Sequence, residues 1–376
     1  MKLKILKFYV PSQFNFELKL YDLSATWIEQ NLDTPTVNFV RGWLSLPVSS
    51  CVSEILSLPR KFAGLDIKSF KDINQTLQLK NRIYLKYSVN TSMHELWKQT
   101  PEKHIETDSR FTSNIFPPIL NQLKEDQIQT KRSHIESLSL QGAVYTSVLN
   151  CLPSSEVIRW SKTTESLPDH LFKFCRKAMS QQLPTNANLK RWKRIESASC
   201  NLCSNSQTNK HVLSNCSSAV ALDRFLIRHN AILSLLADWL QSVLNMANFN
   251  LCVNLEGGFA PINTVFETLR PDIVIYSQTN IYTLELTICH ETNLKASELR
   301  KDSKYSNLES NLKQDFSHYK IFKHYLQIST LGFISDISNF CSACNILDMP
   351  CDLKNKITML AIQKIFDIYC RRNSPA

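Results

Sequence analysis

The sequence predicts an α+β protein: a mostly helical N-terminal part, a small cysteine–histidine turn and a compact C-terminal α/β unit. Three patterns carry that expectation. Leu222, Phe225, Leu226, His229, Ile232, Leu233 and Leu236 recur at the i, i+3, i+4, i+7 spacing of an amphipathic helix. After Pro271 the period changes to two: Ile273 and Ile275 alternate with Asp272, Val274 and Tyr276, then Leu284, Leu286 and Ile288 with Thr283, Glu285 and Thr287. Between these helical and extended regions and the N-terminal half, Cys200, Cys203, His211 and Cys216 spell C-x2-C-x7-H-x4-C.

Residues 1–100 carry short apolar clusters broken by prolines, among them Trp43–Pro47 and Leu56–Phe70, then a helical stretch over 73–96. Residues 101–199 form a second segment, with mixed charge over Lys124–His134 and a helical region from Leu167 to Trp192. Residues 200–216 are the cysteine–histidine turn, and 217–376 the C-terminal unit. In that unit the polar residues Ser277–Asn280 separate two strands of a hairpin. A helix is expected from Thr292 to Leu308, a strand within Tyr325–Ile334 and a closing helix within Leu353–Cys370.

Composition excludes several function classes. The chain has 376 residues and six glycines, whose positions accommodate neither GxGxxG nor GxxxxGK[ST], so no nucleotide cofactor is expected. No membrane association is expected, since the best apolar stretch, Ala231 to Leu244, is short and contains Asp238. The start, MKLKILKFYVP, does not read as a signal peptide. Twelve cysteines without such a signal point to thiols or metal ligands in a reducing compartment, cytosol or nucleus. A net charge of +10 favours a polyanionic partner.

The C-x2-C-x7-H-x4-C spacing fits structural Zn²⁺, because four protein ligands close the tetrahedron and leave no position for water. Its basic run-up, Lys190, Arg191, Lys193 and Arg194 around Trp192, suits phosphate contact with base stacking. Cys341, Cys344 and Cys351 number only three and read as core or incidental thiols.

A hairpin loop centred between Gln278 and Thr279 places Asp272 directly opposite Glu285, with Cβ atoms about 5 Å apart. At that separation two carboxylates repel by roughly 3 kcal/mol at an effective dielectric of ~20. Either they are unrelated surface acids, or a hard cation such as Mg²⁺ or Mn²⁺ sits between them. On the next helix Leu294, Lys301, Tyr305 and Leu308 fall within about 60° of one another. Lys301 therefore points inward, toward developing phosphate charge or, snorkelling, back to solvent. His229 lies on an apolar helix face, where a packed core histidine is the plainer reading.

Together, LPTNANLKRW (183–192), the knuckle, Arg228-His229-Asn230, Arg270-Pro271-Asp272, Glu285-x-Thr287, Glu291 and Lys301-x-x-Lys304-Tyr305 resemble the C-terminal region of the reverse transcriptases of site-specific non-LTR retrotransposons. These carry a zinc knuckle and a restriction-like PD-(D/E)xK endonuclease. The resemblance implies a thumb-like remnant over 1–100, a helical linker with a nucleic-acid-contacting segment over 101–199, the CCHC knuckle over 200–216 and the nuclease over 217–376. It implies Asp272 and Glu285 as Mg²⁺ or Mn²⁺ ligands, Lys301 as catalytic lysine, and Glu291, Arg228 and His229 as accessory active-site residues. Lys304 would join the nucleic-acid surface.

The implied activity is nicking of target DNA to prime reverse transcription in the nucleus, with target DNA and element RNA as partners. Thr287 stands where the (D/E)-x-K pattern has its lysine, and the chain contains no Asp-Asp pair, so no reverse-transcriptase site is present. The alternative is a catalytically inactive or repurposed nucleic-acid-binding zinc protein of the same descent.

Overall fold

The computed structural model describes residues 2–99, 116–244, 249–255, 271–306, 314 and 317–374. Arg270 and Leu308, named above, lie outside them. The fold is mixed α and β, mostly helical, with one four-stranded sheet. The chain divides into two compact units, Met1–Gly142 and Ala143–Ala376. Among the described residues no helix is long and apolar enough to cross a membrane.

The regular elements of the first unit's described residues are all helices. The expected stretch over 73–96 forms two helices, Phe70–Lys86 and Thr91–Gln99. Ser69 caps the first by accepting from Asp72 N, and the Asp33 carboxylate accepts from the Phe70 and Lys71 amides. Its inner face buries Phe70 against Leu18 and Ile28. The mixed-charge run lies on the helix Phe116–Ser137, where Lys131 pairs with Asp72 of the neighbouring helix. Gly64 is required by packing: a Cβ there would stand 1.9 Å from the Leu58 carbonyl oxygen.

The second unit opens with the helices Ala143–Cys151, Ser154–Glu165 and Asp169–Met179. These pack on the C-terminal elements. Trp160 is fully buried, stacks on Phe333 at 4.2 Å between centroids and donates from Nε1 to the Leu331 carbonyl at 2.7 Å. The Glu156 carboxylate accepts from Ile334 N at 2.8 Å. The helical segment from residue 143 onward thus packs on residues 331–334.

Four strands, β1 (Asn250–Val253), β2 (Ile273–Tyr276), β3 (Asn280–Cys289) and β4 (Lys320–Ser329), lie in that order. β1 and β3 both run antiparallel to β2, while β4 runs parallel to β3. A parallel return needs a crossover; the helix Leu294–Lys304 lies in the β3–β4 connection and contacts both strands. Ile273 pairs with Leu284 and Tyr276 with Ile281, the expected hairpin register. β4 begins five residues before the expected window, and the closing helix runs Cys351–Cys370.

One sheet face carries Ile273, Ile275, Leu284, Leu286, Leu326 and Ile328. They are buried with Ile232, Leu233, Leu236 and Leu240 of the helix Ala219–Leu244 and with Ile357 and Ala361 of the closing helix. Each such side chain contributes roughly 1.5–3 kcal/mol on burial. The expected inward stripe of the long helix holds at Phe225, His229 and from Ile232 onward, but Leu222 and Leu226 are exposed. In those first turns Ala221 and Arg228 face the protein beside Phe225, because the cysteine–histidine turn rather than the sheet is their neighbour. Cys341 and Cys344 are core residues, and burial pushes their thiols up to about 11 and about 12.

Candidate functional site

Cys200, Cys203, His211 and Cys216 converge, with their ligating atoms all within 4.8 Å of one another. Cys203 Sγ lies 3.7 Å from Cys216 Sγ and 3.3 Å from His211 Nε2. Two thiolates about 2.3 Å from a tetrahedral zinc stand about 3.8 Å apart, so the donor set fits Zn²⁺ in identity and spacing. The local chain explains the convergence. Ser204 takes a left-handed φ of 62°, and the Cys200 amide bonds to the Asn205 carbonyl at 2.7 Å, closing the C-x2-C turn. The Leu202 amide and Asn205 Nδ2 point at the Cys200 and Cys203 sulfurs, at 3.4 and 3.7 Å. Thr208 Oγ1 accepts from the His211 amide, starting the short turn His211–Asn215 that returns Cys216. Burial lowers the His211 pKa, favouring the neutral imidazole that ligates metals.

The acidic pair forms a second centre. Asp272 and Glu285 are both buried, at 9% and 5% exposure. The Asp272 amide donates to Glu285 Oε2 at 3.1 Å, and the Leu286 amide to Asp272 Oδ2 at 2.9 Å. The carboxylates are therefore held by the hairpin backbone itself. Lys301 Nζ donates to Glu285 Oε1, as does Tyr305 Oη at 2.9 Å. His229 Nε2 stands 3.5 Å from Asp272 Oδ2. Burial works to lower the His229 pKa, but the Asp272 carboxylate, Asn230 and the Leu286 backbone outweigh it and hold it above the ordinary value. Burial, then the Glu285 carboxylate, push the Tyr305 phenol far above its usual range. Asp272, Glu285, Lys301 and His229 thus meet at one place.

Arg228 and Glu291 belong to a different network. Arg228 is buried, donates from Nη1 to the Leu213 carbonyl at 2.9 Å, and is pulled down to about 10 by burial. Glu291, 1% exposed, accepts from Thr330 Oγ1 at 2.9 Å and from the Leu331 amide at 2.8 Å. These contacts fix the end of β3 to the turn after β4. Glu291→Ala leaves a buried amide and hydroxyl unsatisfied and is expected to cost about 2–4 kcal/mol of unfolding free energy, read by urea denaturation; a cost near zero would assign Glu291 no structural part.

The basic run-up sits on the helix Asn186–Arg191 and the turn after it. Lys190, Arg191, Lys193 and Arg194 are exposed, and none pairs with a carboxylate among the described residues. Arg194 lies over the Trp192 ring, 5.9 Å from its centroid. Asn188 anchors the segment by donating to the Gln181 and Leu183 carbonyls. Lys304 is exposed beside Tyr305, its Nζ 3.2 Å from the phenol oxygen.

Sequence reasoning placed Tyr305 inward but missed that its hydroxyl binds Glu285. The i, i+4 spacing from Lys301 was the available signal, because it stacks the two side chains on one helix face. It also missed Lys210, whose Nζ donates to Asn293 Oδ1 at 2.8 Å. In comparisons with known proteins, no family model matches this chain and no curated protein matches it significantly.

Proposed function

We propose that the second unit is a metal-dependent DNA endonuclease of the restriction-like kind, derived from a site-specific non-LTR retrotransposon protein and acting on nuclear DNA without a polymerase centre. The observation that carries this reading is the approach of Lys301 to Glu285 directly across the hairpin from Asp272. An isolated pair of buried acids is costly, and an inward amine from a separate helix is the companion that phosphodiester hydrolysis needs.

Asp272 and Glu285 would hold Mg²⁺ or Mn²⁺, which when bound lowers the pKa of a water and neutralises phosphate charge. The rest falls to the chain. The hairpin amides fix both carboxylates, Tyr305 orients Glu285, and Lys301 places a positive charge beside the scissile phosphate. His229, on the other flank, steadies Asp272. The Cys3His turn would hold structural zinc and present the Lys190–Arg194 surface to nucleic acid, whether target DNA or element RNA.

One observation favours the alternative of a nucleic-acid-binding zinc protein without catalysis. Lys301, Tyr305 and the Asp272 amide together satisfy both oxygens of Glu285, as in a self-contained structural network. Incubating the purified chain with supercoiled plasmid separates the two. Nicking that appears with Mg²⁺ or Mn²⁺ and vanishes when the ion is omitted supports the nuclease; binding without nicking under either ion supports the alternative.

Nucleic-acid binding by the run-up is expected to be mainly electrostatic. Each phosphate contact adds about −0.9 to the slope of log K against log salt on duplex DNA. Neutralising Lys190, Arg191, Lys193 and Arg194 together is expected to flatten that slope by about two to four, measured by fluorescence anisotropy across a salt series. An unchanged slope would put the nucleic-acid surface elsewhere.

A further inference from the structure

The cysteine–histidine turn and the acidic pair lie at separate places in the second unit, yet two hydrogen bonds leave the turn toward the pair. Lys210 immediately precedes the ligand His211. Its Nζ donates to Asn293 Oδ1 at 2.8 Å, and Asn293 is the residue that opens the helix Leu294–Lys304, the helix bearing Lys301 and followed by Tyr305. Leu213, between the ligands His211 and Cys216, offers its carbonyl to Arg228 Nη1 at 2.9 Å. Arg228 neighbours His229, which stands 3.5 Å from Asp272. One contact therefore reaches the Glu285 side of the pair through Lys301, and the other reaches the Asp272 side through His229.

The junction at Asn293 is built to be held rather than to float. The His290 ring Nδ1 accepts from the Thr292 amide, and the Asn293 amide donates to the His290 carbonyl at 2.8 Å. Glu291, between them, is pinned by Thr330 and Leu331. The Lys210 bond ties this junction to the cysteine–histidine turn, and a metal held by His211 and Cys216 at the two ends of residues 211–216 would stiffen that turn.

We propose that the Cys3His turn is more than a docking element: through Lys210 on Asn293, and Arg228 on Leu213, it positions Lys301 and His229 at the Asp272–Glu285 pair. Lys210 and Arg228 are positioning residues that touch no reacting atom. For catalysis this rests on the nuclease reading; for the physical coupling it does not. A displacement near 1 Å of a catalytic group costs on the order of 10²-fold in rate, so loss of one such tether is visible.

The test uses the full chain, zinc-loaded, as parent, Lys210→Met and Lys210→Arg. Lys210→Met keeps the apolar stem and all four zinc ligands while removing the donor. Expected are unchanged zinc stoichiometry, amide hydrogen exchange over 298–304 faster by about tenfold, and a kcat for plasmid nicking reduced by about 10- to 100-fold with KM for plasmid unchanged. Lys210→Arg restores both exchange and kcat. Unchanged exchange over 298–304 in Lys210→Met overturns the positioning role, as does an equal defect in Lys210→Arg. A parent that does not nick overturns the nuclease reading alone, and the exchange comparison still decides the coupling.

Discussion

On the proposed nuclease reading, Glu285→Gln is expected to reduce nicking by about 10³-fold or more, because losing a carboxylate that would hold the metal forfeits about 4 kcal/mol of transition-state stabilisation. The amide remains isosteric and can still meet Tyr305 and the Asp272 amide, so the fold should persist. DNA affinity should stay equal or rise, since negative charge near phosphate is removed. Lys301→Ala should lose cleavage with little change in metal binding; Lys304→Ala, whose amine is exposed, should lose much less. The contrast between two lysines three residues apart is the informative part. Nicking assays paired with isothermal titration of Mn²⁺ read both quantities. Equal effects of the two lysine substitutions would remove Lys301 from its special place.

Cys203→Ser should abolish stoichiometric zinc. Cys203 is in direct contact with both His211 and Cys216, so its loss would open the centre of the cluster. Apparent zinc-binding free energies in small structural sites are about 10–16 kcal/mol, and that energy is folding energy for the segment. The turn, the helix Asn186–Arg191 and the first turn of the long helix share these contacts, through Gln207 on the Asn186 amide and Ala221 beside Cys200 and Cys216. Limited proteolysis should therefore cut within residues 183–216 in the variant and not in the zinc-loaded parent. Full zinc occupancy in Cys203→Ser would end the assignment of that ligand.

Local rules carried the sequence reading where the structure is local. The hairpin register follows from alternation plus the short polar loop, since a one-residue slip would send Asp272 and Glu285 to opposite faces. The inward direction of Lys301 follows from helical geometry, and the convergence of Cys200, Cys203, His211 and Cys216 from their spacing. The rest depends on contacts distant in sequence. Trp160 meets Leu331 across 171 residues, and no periodicity near either announces it. Burial of Arg228 and Glu291 runs against the usual exposure of charged residues and becomes intelligible only once Leu213, Thr330 and Leu331 are seen around them. β1 escaped notice because four residues at a sheet edge give too short an alternation to register.

The most direct measurement compares the parent chain with Asp272→Asn on supercoiled plasmid in Mg²⁺ and in Mn²⁺, both proteins zinc-loaded and matched in DNA affinity. Nicking by the parent in either ion, with no detectable nicking by Asp272→Asn, is the expected result. Nicking by Asp272→Asn at the parental rate would place any cleavage at another centre and leave the acidic pair as structure.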